Sequence, residues 1–178
     1  LALTIPCAVA LVVIPLPLVS VLFERGATTA VDSAGIARAV AIYGLGLPAF
    51  VLQKIYQPLF FAREDTRSPF RYALWAMAVN AGIAVGGAFL IGWTAPAWAT
   101  TLAGWAMVVM LVRGARPMGE VAQFDARFHR RIWRIVLASL IMGAICWALA
   151  LALGPALSTP GLRYLALLGL VLAGMVSY

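Results

Sequence analysis

Arg63, Glu64, Asp65, Arg67 and Arg71 fall within nine positions of a chain that is otherwise poor in charge. Three guanidiniums and two carboxylates so spaced can pair with one another, meet phosphates at a membrane surface, or close against a second set of charges. Lys54, the only lysine, stands about two helical turns upstream, inside an apolar run. A cation at that depth is a candidate for handling substrate or ion, and it can equally extend its ammonium back to the headgroups. Asn80 lies in the next apolar run, where an amide commonly joins two helices by a hydrogen bond. The remaining reactive types are sparse. Cys7 and Cys146 lie in apolar runs without metal-ligand spacing and read as small buried hydrophobes, and His129 reads as a solvated residue of an arginine-rich loop. The six acids, Glu24, Asp32, Glu64, Asp65, Glu120 and Asp125, are scattered over three loops, a poor basis for an enzyme, a resident metal or a cofactor.

The elements that must position these groups are set by composition. Hydrophobic residues make up 64% of the chain and charged residues 11%, with a mean hydropathy of +0.99. Soluble domains carry about a quarter charged residues, so the bilayer is the solvent that fits. Helices crossing a core of about 30 Å need roughly 20 apolar residues. Uncharged stretches suggest six spans, at about 1–23, 36–61, 72–93, 95–112, 132–153 and 162–178. The fold class expected is all-α and polytopic, because helices satisfy their own backbone polar groups in lipid.

Local punctuation supports these boundaries. Thr29 with Asp32 three residues on has the pattern of a capping box opening the second span. Gly92, Pro96, Gly154, Pro155, Pro160 and Gly161 mark turns, and Pro69 can sit in the first turn of the third span. Pro6, Pro15 and Pro17 fall in the first span and Pro48 and Pro58 in the second. They are either bending points or ordinary membrane prolines. Gly82, Gly86 and Gly87 suggest close helix packing within the chain. Trp93, Trp98, Trp133, Tyr164 and Tyr178 suit the interfacial belt.

With six crossings, Arg63, Arg67, Arg71, Arg113, Arg116, Arg127, Arg130, Arg131 and Arg134 fall on one side, against Arg25, Arg38 and Arg163 on the other. Basic residues of short loops stay cytoplasmic, so the first group faces the cytosol. The net charge of +7 thus reads as topology. The arginines are not interleaved with stacking aromatics, and no nucleic-acid partner is expected.

The stretch "LTIPCAVALVVIPLPLVSVLFERGATTAVD", followed by "YGLGLPAFVLQKIYQPLFFAREDTRSPFR", resembles the MurJ (MviN) family of lipid II flippases. That family belongs to the multidrug/oligosaccharidyl-lipid/polysaccharide exporter superfamily. The resemblance is sharpest over Leu3–Arg71 and continues to about Tyr178 as hydropathy and loop order. It implies a two-lobed, MATE-like molecule of roughly fourteen helices, of which this chain would supply one lobe of about six. The chain then reads as a piece of a longer protein whose N-terminal lobe is a partner outside it. The implied place is the bacterial inner membrane. The implied work is moving lipid II, an undecaprenyl-pyrophosphate-linked disaccharide-pentapeptide, between leaflets for cell wall synthesis, with lipid II and membrane lipids as partners.

By the same resemblance the pyrophosphate-holding arginines lie in the other lobe. Lys54, Arg63, Asp65 and Arg71 are left as substrate or gating candidates, beside a plain topology role for the turn. Some members carry a sodium site built from an Asn, an Asp one turn on, and a Thr on the next helix. Asn80 and Thr100 match by spacing, but the acidic position is Ala84. A sodium ion there would lack its main charge compensation, so proton or membrane-potential drive is expected. Export of drugs or of other polyprenyl-linked glycans, and a non-transporting scaffold, are the rival readings.

Overall fold

The computed structural model describes residues 1–24, 29–122, 126–154 and 162–178. Arg25, Asp125, Pro155, Pro160 and Gly161 lie outside the described residues, as do the side chains of Glu120, Arg127 and His129. Helices follow one another without a strand among the described residues. They are α1 (Thr4–Val13), α2 (Pro15–Phe23), α3 (Ala30–Phe61), α4 (Arg67–Ile91), α5 (Ala95–Ala115), α6 (Ala126–Ala152) and α7 (Leu162–Ser177). Short 3-10 turns at Gly92–Thr94 and Arg116–Ala122 complete the set.

α3, α4, α5 and α6 each exceed the roughly 20 residues a crossing needs, and α7 is apolar but shorter, at 16. α1 and α2 together have the length and apolarity of one span, bent by 79°. About six crossing elements result, as composition suggested. Phe89, Leu90 and Val176 are each 87% exposed, which suits hydrocarbon and not water.

The bend has a local cause. Ile14 leaves helical geometry at φ −123°, ψ 41° because Pro15 lacks an N–H and its ring crowds the preceding turn. Pro15 and Pro17 then occupy the first turn of α2, where no donor is missed. Pro6 sits in the first turn of α1 for the same reason. α3 instead runs on through Pro48 and Pro58. Trp105 Nε1 donates to the Leu45 carbonyl at 3.0 Å, in the turn that Pro48 loosens.

Helix starts lie earlier than hydropathy places them, because capping and not oiliness sets them. Thr29 and Asp32 form the reciprocal box: Thr29 N–H and Oγ1 donate to Asp32 Oδ2 at 3.0 and 2.7 Å, and Asp32 N–H donates to Thr29 Oγ1 at 3.3 Å. α3 therefore begins at Ala30. α4 begins at Arg67, with Pro69 in its first turn.

The described residues divide into two compact units: Leu45–Arg131 with Leu1, and Ala2–Gly44 with Ile132–Tyr178. In the first, α4 and α5 form an antiparallel hairpin across Gly92, whose φ of 63° is in glycine's own range. Its core is Tyr56, Phe60, Ala76, Met107, Leu111 and Ala115, with Tyr72 edge-on to Phe60 at 6.1 Å. In the second, Ile14, Met142, Cys146 and Leu170 are buried together, and Tyr178 Oη donates to the Ala2 carbonyl at 2.6 Å.

Two sequence readings are corrected. Gly82 and Gly86 have open space where a Cβ would be. Close approach occurs instead at Gly87, where an added Cβ would lie 3.2 Å from Ala95 Cβ, and at Gly114, which lies against Tyr72. The Gly82–Gly86 stripe of α4 is turned away from α5. Cys7 is exposed on α1, and only Cys146 is buried.

Candidate functional site

The charged turn is built by two capping devices placed back to back. α3 ends when Glu64 N–H donates to the Phe61 carbonyl at 3.0 Å and Asp65 N–H to the Phe60 carbonyl at 3.1 Å. That pair is the Schellman closure. It requires a left-handed residue, and here Glu64 takes φ 59° in place of the usual glycine. One residue later, Asp65 Oδ1 accepts from the Ser68 N–H at 3.0 Å and opens α4. Hydrogen bonding from Ser68, its hydroxyl first and its N–H second, holds the Asp65 carboxyl below the usual carboxylate range, and Arg67 adds to this.

Arg63 is exposed and donates through Nη2 to the Met118 carbonyl at 3.3 Å, tying the α3–α4 turn to the segment after α5. Arg71 is exposed one turn into α4, on the same face as Leu74, Trp75 and Ala78. Lys54 is exposed on α3, and no hydrogen bond or ion pair joins it to Arg63, Asp65 or Arg71. The structure thus gathers Arg63 and Asp65 into one turn and leaves Lys54 and Arg71 on open surface.

Asn80 and Thr100 are brought together. Asn80 Nδ2 lies 3.5 Å from Thr100 Oγ1, which itself donates to the Pro96 carbonyl at 2.8 Å. The long first contact is a weak hydrogen bond. Both residues line a cavity of about 360 Å3 with Gln53, Phe50, Met77 and Met107. Gln53 Nε2 donates to the Gly104 carbonyl at 2.9 Å, across from α3 to α5. Gln53 and Trp105 are the polar ties that sequence reading passed over. Their signal was available: a carboxamide and an indole N–H inside apolar runs must each find an acceptor.

These helices can be compared with known proteins. The family model described as "Lipid II flippase MurJ" matches residues 1–172. The chain is 40% identical, over 184 aligned residues, to the "Probable lipid II flippase MurJ" of Rhizobium meliloti (strain 1021), covering all of this chain and 34% of that relative. It is 32% identical to the protein of the same description from Vibrio cholerae, covering 98% of this chain and 33% of that one. Among solved structures, "Lipid II flippase MurJ, inward closed conformation" superposes with a TM-score of 0.76, covering 99% of this chain and 35% of that one. Its identity is 23%, so that likeness speaks to the fold. The chain spans about a third of the length of the curated relatives it matches. The family model covers nearly the whole chain, and this chain belongs to the lipid II flippase MurJ family.

Proposed function

We propose that this chain forms one lobe of a two-lobed flippase in the bacterial inner membrane, and that the whole protein carries lipid II from the cytoplasmic to the periplasmic leaflet. The observation that carries this reading is the 40% identity, over the full chain, to a relative described as a lipid II flippase. The physical task is to pass a glycopeptide headgroup and a pyrophosphate through hydrocarbon, where a bare charge costs at least about 2.5–3.5 kcal/mol. A wet cavity between two lobes removes that cost, and rocking one lobe against the other opens it to each side in turn. No bond is made or broken, so no catalytic residue or cofactor is assigned. The pyrophosphate-holding cations are assigned to the lobe outside this chain.

Within this lobe, geometry ranks the gating candidates. The Asp65 carboxylate is engaged by Ser68 and Arg63 by the Met118 carbonyl, so both shape the turn. Arg71 and Lys54 are exposed and available to pair with carboxylates of the other lobe in one state and release them in the next. Asn80 and Thr100, with Ala84 one turn on, supply neutral oxygens only, which favours proton or membrane-potential drive over sodium. Expression of the full-length protein in cells depleted of their own lipid II flippase tests the reading. Restored growth is expected, and failure of a correctly inserted protein to restore it would overturn the assignment.

A further inference from the structure

The second unit holds a cavity of about 550 Å3 that the reading above does not use. It lies where α2 and α6 end and α7 begins. Leu16, Ser20 and Glu24 line it from the α2 side, Trp147 and Leu151 from α6, and Arg163 from the first turn of α7. Its size is within the roughly 300–1,000 Å3 of small-molecule sites.

Its charges are opposite in sign but not joined: no hydrogen bond or ion pair links Glu24 to Arg163. Arg163 Nη2 donates to Tyr164 Oη at 3.1 Å, and the guanidinium carbon lies 5.1 Å from the centre of that ring. Arg163 Nε remains buried without an acceptor. A buried guanidinium N–H is nearly always satisfied, and the planar donor fork suits a phosphate. Ser20 Oγ donates to the Pro17 carbonyl at 3.3 Å, which leaves its lone pairs to accept, and Glu24 also lines the cavity. The lining therefore combines a donor, Arg163, with acceptors, Glu24 and Ser20, and apolar side chains of Leu16, Trp147 and Leu151.

We propose that this cavity binds the headgroup of a phosphatidylethanolamine. Arg163 holds the phosphate, Glu24 and Ser20 accept from the ammonium, and the start of an acyl chain lies on Trp147 and Leu151. An anionic headgroup would meet Glu24 as a like charge. A phosphocholine headgroup has no N–H to give to Glu24 or Ser20. Adjacent cationic and anionic groups beside an apolar wall match a zwitterionic lipid headgroup with its acyl chains.

The test uses the full-length protein in nanodiscs and a phosphatidylethanolamine with a photoreactive diazirine near the top of one acyl chain. Labelling is expected on the peptide carrying Trp147 and Leu151. Unlabelled phosphatidylethanolamine should displace it about tenfold better than phosphatidylcholine of the same chains. Arg163→Gln should cut labelling about tenfold or more, and Arg163→Lys, which keeps the charge but not the planar fork, should recover only part of it. Glu24→Gln should remove the preference for ethanolamine over choline while sparing phosphatidylcholine binding. Equal competition by the two lipids, stronger competition by phosphatidylglycerol, or labelling indifferent to Arg163→Gln would each overturn the proposal. If Arg163→Gln lowers the melting temperature, the headgroup preference of Glu24→Gln decides. Binding is read directly, so the outcome is independent of growth complementation.

Discussion

Glu64 holds the left-handed position of the α3–α4 corner at φ 59°, a conformation that costs an L-residue about 1–2 kcal/mol and glycine almost nothing. The Glu64→Gly variant should therefore gain about 1 kcal/mol, less what glycine loses from its freer unfolded chain. A rise in thermal midpoint of the purified full-length protein would register this. No rise would mean that the Glu64 side chain contributes something its backbone position conceals. At this scale the sequence was informative about residue type but not about use. The cluster of charge from Arg63 to Arg71 stood out, and so did Thr29 with Asp32. The splitting of labour in the turn did not, because only coordinates show that Asp65 is spent on the Ser68 N–H and Arg63 on a carbonyl 55 positions later. Asn80 and Thr100, which the family resemblance set together, lie 3.5 Å apart across the antiparallel hairpin about Gly92.

At the scale of elements, apolar runs gave the helices and caps moved their ends. α3 starts six residues before the apolar run because Thr29 and Asp32 close its first turn. Proline alone could not decide which helix breaks: Pro15 breaks one and Pro48 does not. Around Pro48 the Trp105 indole adds a donor to the neighbouring Leu45 carbonyl. The hairpin of α4 and α5 yields a prediction with its own control. A Cβ at Gly114 would run into the Tyr72 hydroxyl, whereas one at Gly82 meets nothing within 4 Å. Gly114→Ala should destabilise by about 1–3 kcal/mol, and adding Tyr72→Phe should recover part of that loss. Gly82→Ala should be neutral or slightly stabilising, since alanine favours a helix by about 1 kcal/mol over glycine. Thermal unfolding of the four proteins separates these outcomes, and equal effects at the two glycines would contradict the packing.

For the whole molecule, the arginine asymmetry supports an orientation that labelling can test. With Cys7 and Cys146 replaced, a cysteine at Ala30 should react with an impermeant maleimide added outside intact cells. One at Ala122 should react only after permeabilisation. The opposite pattern would invert the topology and with it the direction of transport. The division into two compact units was invisible to sequence reading, because it cuts through the middle of α3, where no composition changes. The corner at Ile14 carries one further consequence, for biogenesis. Its two arms, of 10 and 9 residues, are about 15 and 14 Å long, so neither can cross hydrocarbon as a free rod. At the corner Ile14 is buried with Met142, Cys146 and Leu170, which a ribosome delivers more than a hundred residues later. The first segment of this region to be synthesised therefore cannot complete its packing until its C-terminal neighbours have been made.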